Sequence, residues 1–138
     1  VRVPNAERSA RTRGKLLDAT IQCLYELGYH QTSTVLVTER AKVSRGSMLH
    51  HFPTKADLMM AAGRHIVDHR REAHREHLDR FPTEREKFLQ LVDVLWAEFQ
   101  TPSGIARIEL MLGSRSEPEL GPRFRNFNAG RSPQGTHL

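Results

Sequence analysis

Residues 32–55 read TSTVLVTERAKVSRGSMLHHFPTK, and this stretch decides the fold. The hydroxyl side chains at its start favour an N-cap for a short helix through Ala41. Ser44 is a favourable N-cap for a second short helix, which runs to about His51 and ends because Pro53 biases the residue before it away from helical angles. Two short helices joined by a tight turn, after a longer helix, are the pattern of a helix-turn-helix.

The two sides of this helix pair differ in composition. The positions predicted to face inward are apolar: Val37, Ala41, Val43, Met48 and Phe52. The outward positions are small or polar: Ser44, Arg45, Gly46, Ser47 and His50. Such a face fits a helix that enters a DNA major groove, which is about 12 Å wide. Arg45 is suited to a bidentate contact with guanine, and Gly46 lets the backbone approach closely.

Helical periodicity continues on both sides of this stretch, and no segment reads as a strand. A first helix is predicted over about residues 9–27, and three more follow over about 55–78, 83–99 and 102–113. The helix over 83–99 has an apolar stripe that predicts burial, formed by Phe88, Leu91, Val92, Leu95, Trp96 and Phe99. The sequence therefore predicts an all-α fold.

The positive charge of the chain is concentrated at one end. Residues 1–55 hold nine Lys or Arg and four acidic residues, whereas the other residues hold twelve of each, so the whole net charge of +5 lies in the first part. This asymmetry points to a polyanion-binding front end, with a solvated basic surface as the equal alternative. Five basic residues there predict an arm that enters a minor groove, with a flexible tail as the alternative: Arg2, Arg8, Arg11, Arg13 and Lys15.

Several protein classes are excluded by what the sequence lacks. No apolar run approaches about 18 residues, and the amino terminus has no secretory signal, so we expect no membrane segment. Cys23 is the single cysteine, which fits a reducing cytoplasm and a buried structural thiol. No Ser-His-Asp arrangement, phosphate loop or His-Glu-x-x-His motif is present. We therefore expect neither an enzyme nor a bound cofactor.

Two segments resemble the DNA-binding domain of the tetracycline-repressor (TetR) family. They are GYHQTS at residues 28–33 and ERAKVSRGSMLHHFPTKADL at residues 39–58. A weaker resemblance continues through residues 111–120. The resemblance implies a transcriptional regulator, usually a repressor, that binds a palindromic operator as a dimer and is released by a small molecule.

The resemblance also assigns roles to individual residues. It implies base contacts for Arg45, Gly46, Ser47 and His50. It implies phosphate contacts for Thr32, Ser33, Leu49, His51 and Lys55. Three departures from the family pattern stand out. Lys42 replaces a glycine in the turn, which strains the turn or changes its shape and adds a charge near the DNA backbone. Leu49 replaces a tyrosine, and Val37-Thr38 replaces an Ile-Ala pair, which is tolerable.

The resemblance divides the chain into three parts. Residues 1–55 form the DNA-binding domain, with its basic arm, and residues 56–120 form a helical regulatory domain. That domain is incomplete relative to the family, whose last long helices form the dimer interface, so a homodimer requires those helices to be supplied. Residues 121–138 contain three Gly, two Pro and no acidic residue, which predicts disorder.

Three further predictions concern ligands and partners. An effector pocket between helices is predicted from Phe88, Trp96, Phe99 and Met111, with plain core as the alternative. A metal-responsive fourth helix is a weaker alternative, based on His65, His69, Glu72 and Glu76, and we expect no metal there because arginines are interleaved with these residues. The remaining alternative function is a truncated regulator that pairs with a partner protein and lacks specific DNA binding of its own.

Overall fold

A computed structural model describes residues 4–129 as seven α-helices, with no strand among those residues. The prediction of an all-α fold is confirmed. The helices are α1 (Asn5–Leu27), α2 (Thr34–Ala41), α3 (Arg45–His51), α4 (Lys55–Leu78), α5 (Glu84–Phe99), α6 (Pro102–Ser114) and α7 (Leu120–Ala129).

Side-chain caps set the starts of most of these helices. The Oγ of Ser33 accepts a hydrogen bond from the Leu36 N–H at 3.1 Å, and Ser44 caps α3 in the same way. Thr83 begins α5 with a capping box, as its spacing to Glu86 predicts. Each cap satisfies an N–H group that the helix itself leaves unpaired, so the boundaries follow from local sequence.

The amino-terminal basic residues lie on a helix, which corrects the predicted arm. Helix α1 begins at Asn5, directly after Pro4, and Glu7 lies in its first turn, where an acidic side chain is favourable. Glu7 also pairs with Arg11 one turn later, at 3.6 Å. Residues 8–15 are therefore helical and not extended, whereas Arg2 lies outside the described residues.

One continuous core joins α1–α4 to α6. It contains Leu16, Leu24, Val37, Met48, Phe52 and Leu58 from the first four helices, and Ala106 and Leu110 from α6. Helix α1 makes its most extensive contacts with α6, ahead of those with α2 and α4. The predicted division between residues 55 and 56 stays a prediction, and the core crosses it.

Helix α7 corrects the disorder predicted from residue 121 onward. Pro122 lies in its first turn, where a proline costs no hydrogen bond. Phe124 is buried against α4, where a Cβ on Gly63 would lie 2.7 Å from the phenyl Cζ. Arg123 also pairs with Asp57 at 2.9 Å. These long-range contacts order residues 120–129, whereas residues 130–138 lie outside the described part of the chain.

The apolar stripe of α5 lies outside the core. This corrects both interpretations of its aromatic residues, as plain core and as the lining of an effector pocket. Within residues 4–129, α5 packs mainly against α4 and α6, which cover one side of it, and none of its residues is buried. Phe88 is 65% exposed, Trp96 69% and Phe99 47%. No helix within residues 4–129 is both long enough and apolar enough to cross a membrane.

Candidate nucleic-acid interface

The turn between α2 and α3 is held in a left-handed conformation by a residue other than glycine. Lys42 has φ +54° and ψ +45°, and it is the one non-glycine residue with positive φ among those described. The Val43 N–H donates to the Thr38 carbonyl at 3.1 Å and closes the turn. Lysine in this region costs on the order of 1 kcal/mol relative to glycine, and the turn is formed nevertheless.

Helix α3 has one buried anchor and an exposed outer face. Met48 is 1% exposed and fixes the helix to the core, while Arg45, Gly46 and His50 are exposed. Arg45 forms no ion pair with any carboxylate in the described chain. A Cβ on Gly46 would meet nothing within 4 Å. The packing of the protein itself would therefore tolerate a side chain at position 46.

The two hydroxyl residues before α2 have different surroundings. Thr32 is fully buried, and its hydroxyl donates to the Gly28 carbonyl at 2.7 Å, within the loop between α1 and α2. This corrects the prediction of a phosphate contact by its side chain. Ser33 is half-buried, and its hydroxyl hydrogen stays available to a phosphate while its oxygen caps α2.

The other predicted phosphate contacts surround the end of α3. Leu49 is 48% exposed, and the Lys55 ammonium lies 4.7 Å from the centroid of the Tyr29 ring. Burial, followed by the nearby charges of His50 and Arg13, lowers the pKa of His51 below its usual value. The His51 imidazole is therefore neutral at neutral pH and would donate to a phosphate without adding charge.

An exposed apolar pair on the same side was not foreseen from the sequence. Val35 is 54% exposed, and with Leu49 and Met48 it lines a cavity of about 220 Å³ between α2 and α3, beside Arg45. Apolar side chains at a DNA interface contact the methyl group of thymine. The sequence does place an apolar residue on the outer face of α2, which could have indicated this pair. Helical periodicity alone, however, predicts that such a residue is part of the core.

The predicted effector residues do not share a cavity. Phe88, Trp96 and Phe99 lie exposed on α5, and Met111 lines a separate cavity of about 350 Å³ against α7. A larger cavity, of about 620 Å³, lies between α1, α4, α5 and the start of α6. Its apolar wall includes Ile21, Ile66, Val94, Ala97 and Pro102.

An incompletely satisfied ion pair lies in the wall of this larger cavity. Arg70 and Glu98 meet at 2.8 Å, and the Nε2 of His74 lies 3.4 Å from the other carboxylate oxygen. Arg70 Nε and Glu98 Oε2 are buried without a hydrogen-bond partner. Burial lowers the pKa of His74, which leaves its imidazole neutral. A donor and an acceptor are therefore available to a polar group in a mostly apolar cavity.

The histidines of α4 are arranged for packing. The rings of His65 and His69 lie 4.0 Å apart, and His69 Nδ1 is 2.9 Å from the His65 carbonyl oxygen. Glu72 pairs with Arg75. No three His, Cys, Asp or Glu residues within 4–129 are placed to hold a metal ion. Cys23 is buried, as predicted, and burial raises the pKa of its thiol.

Comparison with known proteins shows what the helix-turn-helix region is similar to. Residues 16–62, which span α1 to the first part of α4, match the bacterial regulatory proteins of the tetR family. Over these residues the chain is therefore similar to the tetR family. The HTH-type regulator CymR of Pseudomonas putida is 31% identical over 115 residues, covering 83% of this chain and 57% of CymR. An uncharacterized HTH-type regulator of Mycobacterium bovis is 27% identical over 120 residues, covering 87% of this chain and 62% of that protein.

Solved structures extend the similarity to most of the chain. A TetR family transcription regulator from Marinobacter aquaeolei aligns with a TM-score of 0.71 over 91% of this chain and 66% of that one, at 19% identity, and shows the shared fold. The multidrug binding protein EbrR, complexed with imidazole, aligns with a TM-score of 0.66 at 28% identity, over 86% of this chain and 64% of EbrR. The chain spans about three-fifths of the length of the curated relatives named above.

Proposed function

We propose that this protein is a sequence-specific DNA-binding transcriptional regulator, a repressor that a small molecule releases, and that it acts in the cytoplasm as a dimer on a palindromic operator. The observation that carries the proposal is the outer face of α3, where Arg45, Gly46 and His50 are exposed around one buried anchor. The tetR-family match over residues 16–62 supports the same function. On this proposal the protein is a regulator and not an enzyme.

The exposed residues divide into those that would read bases and those that would hold the backbone. Arg45 and His50 are the polar base readers, and Val35 with Leu49 supplies apolar surface for a thymine methyl. Phosphates would be met by four residues around the helix pair: Ser33, Lys42, His51 and Lys55. Phosphate contacts supply most of the affinity and fix the register, whereas base contacts supply the specificity.

Gly46→Ala provides the most direct test, because stability and DNA binding are expected to change in opposite directions. Alanine in a helix is more favourable than glycine by about 0.5–1 kcal/mol, and the added methyl group meets nothing inside the protein. The same methyl group would obstruct the approach of α3 to the base pairs. We therefore expect a higher melting temperature and weaker binding to a site selected from random double-stranded DNA.

Gly14→Ala is a matched control for this substitution. Gly14 also lies in a helix, and a Cβ there likewise meets nothing within 4 Å. The control should raise the melting temperature and leave DNA binding unchanged. Undiminished DNA binding by Gly46→Ala would show that α3 does not enter a groove.

We further propose that the effector occupies the cavity between α1 and α4–α6. The unpartnered Arg70 Nε and Glu98 Oε2 would orient a polar group, and the apolar wall would bury the rest of the ligand. EbrR structures are described as complexes with imidazole and with ethidium, which supports a small-molecule response. Because the cavity includes α1 as well as α4, a bound ligand would shift the DNA-binding helices directly.

Val94→Phe tests this site by filling the cavity from α5. A compound that releases wild-type protein from the selected DNA should lose potency by roughly tenfold or more against Val94→Phe, since the ring occupies the ligand's space. Val92→Phe is the matched control, because Val92 lies on the exposed side of the same helix. Equal potency against wild type and Val94→Phe, in a competition assay with labelled DNA, would place the effector elsewhere.

A further inference from the structure

The cavity between α2 and α3 has a charged end and an apolar end. Val35 and Glu39 lie one turn apart on α2 and line the cavity from one side. Arg45 and Leu49 lie one turn apart on α3 and line it from the other side. The charged end consists of Glu39 and Arg45, which are nearer along the chain to the turn that joins the two helices. The apolar end consists of Val35 and Leu49, one helical turn farther away.

The chemistry of this cavity favours an uncharged, apolar group of duplex DNA as its occupant. Its volume of about 220 Å³ is below the roughly 300 Å³ at which small-molecule pockets begin. The Glu39 carboxylate disfavours a phosphate, because like charges repel. The apolar end lies beside Arg45, on the side of α3 that the proposed function directs into the major groove. The apolar group that DNA presents in that groove is the C5 methyl group of thymine.

We propose that this cavity reads a guanine and a nearby thymine as one unit, so that binding depends on a pyrimidine C5 methyl group. The inference rests on the proposed function, since it specifies the DNA that the helix-turn-helix selects. Arg45 would bind the guanine, and Val35 with Leu49 would enclose the methyl group. Arg45 and Leu49 are about 6 Å apart along α3, and base pairs stack about 3.4 Å apart. The thymine is therefore one or two base pairs from the guanine.

A consequence is that cytosine methylation at this position regulates binding. Unmethylated cytosine has a hydrogen at C5, which leaves the exposed side chains of Val35 and Leu49 without the apolar contact. Methylation at C5 of the cytosine supplies the same group that thymine carries. The protein should therefore bind a site with 5-methylcytosine at this position more tightly than the same site with cytosine.

Replacement of thymine by uracil isolates the methyl group, because the two bases pair with adenine in the same way. Each thymine of the site selected from random DNA is replaced in turn by deoxyuridine, and binding of the full chain is measured. One thymine in each half-site should show roughly fourfold weaker binding, the loss that corresponds to one buried methyl-sized group. It should lie one or two base pairs from the guanine whose preference is lost in Arg45→Ala. At the same position, 5-methylcytosine should bind roughly fourfold more tightly than cytosine.

Variants of the apolar end test whether these two side chains are the readers. The double variant Val35→Ala/Leu49→Ala should bind the thymine and uracil duplexes equally, because it lacks the surface that distinguishes them. Leu36→Ala is the matched control, since Leu36 is an apolar residue of α2 that is 40% exposed but does not line the cavity. This control should keep the fourfold preference for thymine. Circular dichroism should show that all variants are folded.

The outcomes separate this inference from the function on which it rests. If sequence preference persists but replacement of every thymine by uracil leaves binding unchanged, the inference is overturned and the proposed function stands. A fourfold preference for thymine that survives in Val35→Ala/Leu49→Ala would also overturn the inference alone. A chain that selects no sequence from random DNA would overturn both.

Discussion

Replacing Arg45 with alanine is expected to weaken binding to the selected DNA site by about 1–3 kcal/mol, or roughly 5- to 150-fold. The guanidinium is exposed on the outer face of α3 and has no ion pair within residues 4–129, so it is available for two hydrogen bonds to one guanine. The loss should be specific to one base pair in each half-site. Selection of sites from random DNA should show reduced guanine preference at that position, with the other positions kept.

Lys42→Asn is the control for this experiment. Asparagine tolerates the left-handed conformation at position 42, so the substitution removes a charge and keeps the turn. Binding should weaken similarly for all DNA sequences, and the dependence of affinity on salt should become shallower. Lys55 serves less well here because it contacts the Tyr29 ring. If Arg45→Ala and Lys42→Asn had the same effect on sequence preference, Arg45 would not read bases.

The helix-turn-helix could be predicted because its determinants are local. Ser33 and Ser44 cap helices three residues away, and Pro53 acts on its neighbour. The unusual backbone at Lys42 could also be predicted, because the family pattern has a glycine at the position where the structure has positive φ. Local chemistry of this kind depends on no other part of the chain, and the predicted bounds of α2, α3 and α4 are accordingly close to those observed.

The remaining differences have long-range causes. Periodicity predicted an apolar face on α5 but cannot say whether another helix covers it, and none of the helices within residues 4–129 covers Trp96. The composition of residues 121–138 predicted disorder. Composition cannot show that the missing side chain of Gly63 leaves room for the Phe124 ring. Thr32 looked available to DNA in the sequence, but the loop after α1 uses its hydroxyl.

The same long-range packing joins the helix-turn-helix to α6. The Tyr29 N–H donates to the Glu109 carboxylate of α6 at 2.9 Å, and the Tyr29 ring is 3% exposed. Burial raises the pKa of the Tyr29 phenol to about 12, so the ring stays neutral at physiological pH. Lys55, at the start of α4, lies over this ring. Tyr29 therefore connects α1, α4 and α6 at one point.

Gly113→Ala is expected to break this junction and to lower the free energy of unfolding by about 3 kcal/mol, the upper part of the range for an overpacked core. A Cβ at position 113 would overlap the Cγ, Cδ1 and Cβ atoms of Tyr29, whose ring is enclosed and cannot move aside. Urea unfolding followed by circular dichroism measures the loss, and Gly14→Ala, which adds a methyl group without any overlap, should not show it. If both variants unfolded at the same urea concentration, Tyr29 would not pack against α6. A ligand in the cavity between α1 and α4–α6 would then have no rigid connection through α6 to the helix-turn-helix.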